Sequence, residues 1–157
     1  MITFMEKPAT QEVITPTQAR DRISNRETLS GFKINGDLDL RGLRTPGHLN
    51  IRGVTIDGDL LLTGANIGQG LDIGDADVWG LVNLSRINVG GKLFLLGTKV
   101  GTSLSLFRAT IVDDINLHKA EVAGMIDLTG TNIVSGKLIT GNMQVGRVHG
   151  GVALLAS

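Results

Sequence analysis

The fold is decided by three consecutive stretches of sequence: IDGDLLLTGAN from Ile56, IGQGLDIGDAD from Ile67 and VWGLVNLSRIN from Val78. They are copies of one eleven-residue unit, which repeats nine times in unbroken register over residues 34 to 132. We number the positions of the unit from one to eleven, so that Ile56, Ile67 and Val78 stand at position one. A fixed period of this length indicates a repeat architecture, in which each unit stacks on its neighbours to bury a continuous core.

Alternation within the unit indicates β-strands. Positions one, five, seven and ten are apolar, and only Thr45, Thr98 and Thr131 depart from that rule. Positions five to seven read apolar, variable, apolar, as in LDL at 38–40 and INL at 115–117. That is the two-residue period of a strand. Eleven residues are too few for a two-strand hairpin with ordinary loops, so we predict strands that stack in parallel.

Glycine marks two further positions of the unit, the third and the ninth. We expect it to permit the positive φ angles that turn a corner within a few residues. An α-helical interpretation fails because the chain contains 22 glycines, and each interior glycine would cost a helix about 1 kcal/mol. The glycines concerned are Gly36, Gly47, Gly58, Gly80, Gly91 and Gly124 at position three and Gly42, Gly53, Gly64, Gly97 and Gly130 at position nine.

The segment before the repeats predicts one short helix. Thr15, Pro16 and Gln18 form a capping-box pattern with proline at the first helical position, and a helix over residues 16–26 follows. Its apolar side, with Ala19 and Ile23, suits a cap over the open end of a β-stack, whose unpaired backbone would otherwise invite association. Residues 1–14 are either a loose tail or a short pairing segment.

The register changes at the C-terminal end of the repeats. After Ile133 it slips by one, so that Leu138 takes the strand role instead of Lys137. The chain ends in the apolar, uncharged segment GGVALLAS, which contains Val152, Leu154 and Leu155. This segment is either a folded-back cap or an adhesive end that joins two copies of the chain.

Composition limits the classes of function. The formal net charge is zero, which argues against general nucleic-acid binding and against a uniformly acidic DNA mimic. Residues 78 to 112 nevertheless carry four basic residues and no acid, between two more acidic stretches. Cysteine is absent, which is compatible with the cytoplasm. No apolar run approaches the ~20 residues of a membrane helix, so we predict a chain without a membrane span.

The tenth, eleventh and first positions resemble a known family. They read Ala65, Asn66, Ile67 and then Ala76, Asp77, Val78, with weaker copies at Ala120, Glu121, Val122 and at Thr131, Asn132, Ile133. This is similar to the A-(D/N)-L-x-x unit of pentapeptide-repeat proteins, and the LxL triad resembles a second such face. There is a looser resemblance to bactofilin-type β-helices, which are also rich in GDLxL-like runs.

The resemblance implies an all-β fold. It would be a single-stranded, right-handed, four-sided parallel β-helix with about 22 residues per coil and roughly five coils. The chain would then divide into an N-terminal tail and capping helix over 1–33, a β-helix over 34–145 and a C-terminal cap or dimerisation segment over 146–157. The family also implies a homodimer through the C-terminal coil, with Val152, Leu154 and Leu155 as contacts.

Polar residues give no clear sign of catalysis. On the implied coil, Asp37 and Asp59 stack on neighbouring coils, where they either bind a hard cation or tolerate mild repulsion in water; we favour the second. His48 and His118 fall on outward positions far apart in register, and His149 is isolated. We therefore predict no catalytic site, no cofactor and no metal site.

Outward apolar residues within the basic stretch suggest a contact surface. Exposed aromatics flanked by arginine and lysine are typical of protein-contact hot spots, although the dimer or other segments of the chain could cover them instead. The candidate residues are Trp79, Leu81, Arg86, Lys92, Phe94, Leu96, Phe107 and Arg108.

The sequence thus favours a non-enzymatic protein–protein interaction module with another protein as partner. Two alternatives stay open. One is a DNA-mimicking inhibitor of a DNA-handling enzyme such as a topoisomerase, which the resemblance implies for part of the family and which the neutral charge disfavours. The other is a structural β-helix that forms polymers.

Overall fold

The structure, a computed structural model, describes residues 11–150. It is an all-β parallel solenoid of about six turns with one short helix at its N-terminus, so the predicted fold class is confirmed. The helix α1 is Pro16–Ser24. The strands are β1 Glu12–Ile14, β2 Phe32–Ile34, β3 Leu38–Asp39, β4 Arg44–Thr45, β5 Leu49–Asn50, β6 Thr55–Ile56, β7 Leu60–Leu61, β8 Asn66–Ile67, β9 Leu71–Asp72, β10 Asp77–Val78, β11 Val82–Asn83, β12 Asn88–Val89, β13 Leu93–Phe94, β14 Lys99–Val100, β15 Leu104–Ser105, β16 Thr110–Ile111, β17 Ile115–Asn116, β18 Glu121–Asp127, β19 Asn132–Ile133, β20 Leu138–Ile139 and β21 Gln144–His149.

The strands form four parallel ladders, which are the four faces of the solenoid. Face 1 contains β1, β2, β6, β10, β14 and the beginning of β18, and face 2 contains β3, β7, β11, β15 and the end of β18. Face 3 contains β4, β8, β12, β16 and β19, and face 4 contains β5, β9, β13, β17 and β20. At the C-terminal end, β21 pairs with β18 along faces 1 and 2.

The register between coils is 22 residues over most of the stack. Val78, for example, pairs with Val100 on the next coil. At the C-terminal end the predicted slip is present, since Leu138 rather than Lys137 pairs with Ile115. A bulge between Val122 and Met125 restores the 22-residue spacing where β18 meets β21.

The core consists of the predicted inward columns. Positions one, five, seven and ten are buried throughout the middle of the stack; Ile67, Leu71, Ile73 and Ala76 of one unit are at most 1% exposed. Thr98 is also buried, and its hydroxyl donates to the carbonyl of Ile73 at 2.8 Å. A threonine is tolerated at position ten because the only polar hydrogen of its side chain has a partner.

The N-terminal segment covers one end of the stack over faces 1 and 2. β1 pairs in parallel with β2, so the described part of the predicted tail is a pairing segment. The capping box of Thr15 and Gln18 is present, and Ala19 is buried. The helix ends at Ser24, two residues before the predicted end, because Arg26 adopts a φ of 58°. β1 and α1 add a turn, which explains why there are about six turns and not five.

The expectation for glycine is confirmed at position nine and wrong for most of position three. Gly42, Gly53, Gly64, Gly97 and Gly130 all have positive φ, whereas at position three only Gly36 does. A Cβ on Gly80 would instead lie 2.8 Å from the carbonyl oxygen of Gly58 on the previous coil. Close approach of the previous coil therefore explains glycine at residues 58, 80 and 124, whereas Gly47 has open space around it.

The helix α1 is nine residues long. Among residues 11–150, no helix has the length and apolar character needed to cross a membrane.

We predict that Leu84→Ala lowers the free energy of unfolding by about 2 to 5 kcal/mol, the usual range for a buried leucine. Leu84 is fully buried in the middle of the stack. Leu61→Ala is the matched control, because Leu61 points outward on face 2 and is only half-buried. Denaturant titration measures both variants, and an unchanged midpoint for Leu84→Ala would contradict its interior position.

Candidate interaction surface

Position nine has one backbone conformation in every unit of the repeat. Its φ lies between 54° and 74° in all nine units, which is the left-handed region. Glycine fills the position in five units, and the other four hold Asp75, Arg86, Arg108 and Lys119. A side chain there costs roughly 1 to 2 kcal/mol, because its Cβ crowds the following carbonyl oxygen. Aspartate tolerates this region comparatively well, whereas arginine and lysine have no such advantage.

Arg86 and Arg108 occupy successive coils on the edge between faces 2 and 3. The side chain of Phe107 is close to both, with the Cζ atoms of Arg86 and Arg108 at 5.5 Å and 5.2 Å from its ring centroid. These are cation–π distances. We call Arg86, Phe107 and Arg108 the basic edge. Both arginines are exposed and the ring is half-buried.

Within residues 11–150, neither arginine of the basic edge has an acidic partner. The ion pairs of residues 11–150 involve other cations, namely Arg22, Arg41, Arg52 and Lys92. Arg41, on the same side of the solenoid, is bound to Asp39, and its hydrogen bond lowers the pKa of that carboxyl to about 2. Two neighbouring guanidinium groups without counter-charge form a local positive potential that attracts an anionic group.

The surroundings of the basic edge are small and uncharged. Ser85 and Ser105 lie next to it, with their hydroxyl oxygens 2.9 Å apart. In the same column, Gly64 and Gly130 precede and follow the two arginines. The guanidinium groups are therefore accessible along an edge that carries no side chain at position nine on either side.

The structure separates the other five predicted contact residues from the basic edge. Trp79 and Leu81 lie where face 1 turns into face 2, while Lys92 precedes β13 and pairs with Asp114 at 3.8 Å. Phe94 and Leu96 are on face 4 and at its end, and both are half-buried. The eight residues do not form one continuous patch, because residues share a column only when they are 22 apart.

Trp79 forms a separate feature of face 1. It is 52% exposed, and the Nζ of Lys33 lies 4.4 Å from its ring centroid. It borders an open depression of about 560 Å³ that continues past Gly101 and Ala123. A second depression of about 620 Å³ lies at the N-terminal end, between the end of α1 and residues 43–50.

Side chains at position four have a structural role that sequence reasoning missed. The carboxylates of Asp37 and Asp59 accept the backbone N–H of Asp59 and Leu81, each one coil further on, at 2.8 Å and 2.9 Å. His48 accepts the N–H of Gly70 through Nδ1 at 3.0 Å in the same way. The stacked aspartates thus serve as hydrogen-bond acceptors for the scaffold. Within residues 11–150, no group of three or more histidine or acidic side chains could hold a metal ion.

Polar side chains at position six close the turn that follows most strands of faces 2 and 4. The side-chain oxygens of Asp72, Asn83 and Asn116 accept the backbone N–H two residues later at 2.8 to 3.0 Å. This is the Asx turn, for which aspartate and asparagine are the usual residues. Many outward acids and amides therefore belong to the scaffold, whereas Arg86 and Arg108 at position nine add only their contacts with Phe107 to what glycine would provide.

The sequence did contain a signal for the basic edge. Glycine occupies position nine in most units, so a long basic side chain there departs from what the corner prefers. Arg86 and Arg108 are also 22 residues apart, which places them in one column. Both arginines were in the predicted set, but the pairing around Phe107 becomes visible only when the chain is wrapped on four faces.

Comparison of the chain with protein-family models, with curated proteins and with solved structures finds no match. The fold and the site define the chain as a parallel β-solenoid with a basic edge on one side. The resemblance to pentapeptide-repeat proteins rests on sequence positions such as those of Ala65, Asn66 and Ile67.

The strain at position nine gives a prediction for stability. We expect Arg86→Gly to unfold at nearly the same denaturant concentration as the natural chain, because relief of strain offsets the flexibility of glycine and the lost cation–π contact. Arg86→Ala keeps the strain and loses the contact, so it should be about 1 kcal/mol less stable than Arg86→Gly. Equal stability of the two variants in urea titration would show that position nine is not strained.

Proposed function

We propose that this chain is a non-enzymatic protein–protein interaction module, built on a pentapeptide-repeat-like β-helix, that binds another protein through its basic edge. One observation carries the proposal. Arg86 and Arg108 share the ring of Phe107 on successive coils, in a left-handed backbone that glycine would adopt without strain, and neither side chain binds an acid of the described chain. Lys119 has the same strain but no such neighbour in its column. A strained conformation without a structural purpose is a reason to infer function.

The basic edge has the composition of a binding hot spot. Arginine and aromatic residues are enriched where truncation weakens a protein complex most. The ring of Phe107 supports both guanidinium groups, which limits their motion before a partner arrives. Less side-chain entropy is then lost on binding, so a small surface can bind more tightly.

Two alternative functions receive less support from the same residues. A DNA mimic needs carboxylates that are free to replace phosphates, whereas Asp37, Asp57 and Asp59 accept backbone N–H groups of neighbouring coils. A polymer that grows end to end needs two open ends, whereas β1 and α1 cover faces 1 and 2 at the N-terminal end. The interaction module requires neither feature.

The experiment is an affinity capture from the cells that make the protein, with the natural chain and with Arg86→Gly/Arg108→Gly as baits. We expect the captured partner to bind the double variant at least about tenfold more weakly, the equivalent of 1.4 kcal/mol. The glycine substitutions keep the corner geometry, so the variant should fold.

Lys119→Gly is the matched control. Lys119 is also basic and also has a left-handed φ, of 60°, but it lies on the edge between faces 4 and 1. The control bait should retain the partner. A partner that binds the natural chain and the double variant equally would refute the basic edge as the binding site.

We propose further that two copies of the chain associate through the C-terminal coil. Val152, Leu154 and Leu155, the predicted dimer contacts, lie outside the described residues. Within residues 11–150, β21 pairs along one side only, with β18, and Val148 is 44% exposed. A free strand edge with an apolar side chain favours pairing with another chain.

Analytical ultracentrifugation tests this association. We expect a dimer for the full chain and a monomer for a chain that lacks residues 150–157, and Val148→Lys should weaken the dimer because it places a charge at the interface. Val13→Lys is the control, because Val13 is 55% exposed on β1 at the opposite end. A monomeric full chain, or a dimer that survives the truncation, would contradict the proposal.

A further inference from the structure

The basic edge borders a face that carries little charge. From β8 to β19, the outward strand residues of face 3 are Asn66, Asn88, Thr110 and Asn132. At the far border of this face, Val112 and Val134 follow β16 and β19 and are 38% and 58% exposed. Face 3 thus has positive charge at one border and neutral polar groups in the middle. At the other border it has exposed valines, beyond which the carboxylate of Asp113 accepts the N–H of Asp114.

We infer that the partner presents an acidic, extended peptide segment that crosses face 3. One or two of its carboxylates bind Arg86 and Arg108, and an apolar side chain rests on Val112 and Val134. This inference rests on the proposed function, since it names the chemistry of the partner at the same site.

Charge complementarity favours an acidic peptide over nucleic acid. Guanidinium groups bind carboxylates with two parallel hydrogen bonds, and the two arginines stand one coil apart, roughly 4.8 Å, within reach of one or two carboxylates. Binding of a nucleic-acid strand depends on neutralising a series of phosphates. The basic edge offers two free cations, and the outward strand residues beside it on face 3 are uncharged from β8 onward.

The width of face 3 sets a register for the peptide. Arg108 and Val112 stand four positions apart on the same coil, a distance of at most about 14 Å in extended chain. Residues at i and i+4 of a strand point to the same side. A peptide with an acidic residue and, four positions later, an apolar residue can therefore contact both borders of face 3. The acidic residue would meet the arginines and the apolar residue would meet the valines.

The test uses the ¹⁵N-labelled full chain and a synthetic twelve-residue peptide, observed by two-dimensional NMR. The peptide contains serine and threonine, two glutamates two residues apart, and a leucine four residues after the second glutamate. One control peptide replaces both glutamates with glutamine, and another moves the leucine by one residue, which turns it to the opposite side of the strand. A twelve-nucleotide oligo(dT) is the fourth probe.

We expect the glutamate peptide to shift the amide signals of residues 107–112 and of Val134. Both control peptides should bind about tenfold more weakly, the change in Kd typical for loss of a charge-assisted contact or of one apolar anchor. The double variant Arg86→Gly/Arg108→Gly should bind the glutamate peptide about tenfold more weakly than the natural chain does. Lys119→Gly should bind it as tightly as the natural chain. Raising the salt concentration should weaken the binding, because the charges are exposed.

Three results would overturn the inference: no binding of the glutamate peptide at millimolar concentration, equal binding of either control peptide, or the same shifts at lower concentration with oligo(dT). The proposed function is judged separately by the affinity capture. If the captured partner requires the two arginines but the glutamate peptide does not bind, the proposed interaction module is retained and the inference of an acidic peptide is rejected. If the capture shows no such dependence, both fail.

Discussion

The structure depends on the stacking of each residue over the residue 22 positions earlier. Most strands are only two residues long, so a coil gains few ladder hydrogen bonds from any one strand. The inward columns compensate, because aliphatic side chains of successive coils contact one another along the whole axis, each worth roughly 1.5 to 3 kcal/mol when fully buried. Any local change of spacing must be corrected nearby, and the bulge of β18 shows this correction after the slip at Leu138.

Short strands also require side chains to complete the turns. Position six supplies an acceptor for the N–H two residues on, and position four supplies one for the next coil, as Asp72 and Asp59 illustrate. Position nine supplies a left-handed backbone. These three requirements account for many of the outward polar residues. They leave the guanidinium groups of Arg86 and Arg108 without a structural explanation.

Much of the fold could be predicted from sequence because it repeats. Short-range patterns predicted the apolar columns, the capping box around Thr15 and the role of Leu138. These patterns either recur in every unit or match a well-defined motif. Two features could not be read in this way. The close approach at Gly80 depends on the carbonyl of the previous coil, and the extra turn depends on how β1 and α1 fold back.

The candidate site was harder to predict because it depends on the wrapping of the chain. Trp79 and Phe107 are both outward aromatics of the basic stretch, yet they lie on different edges since their separation is not a multiple of 22. Arg86 and Arg108 do differ by 22, and the repeat provides an internal comparison for them. At the same edge, Gly42, Gly64 and Gly130 show which residue the corner takes when only folding matters.

Arginine and glycine can be compared in energy at residues 86 and 108. The two like charges are at most about 11 Å apart, because both Cζ atoms lie near one ring centroid. They repel by at least about 0.4 kcal/mol in water, and this adds to the backbone strain of both positions. The contacts with Phe107 are exposed, so they return about 0.5 to 1 kcal/mol each and do not cover the total. The flexibility of glycine offsets most of the remainder, so folding alone gives no preference for arginine at residues 86 and 108, and an external anion that binds them would supply one.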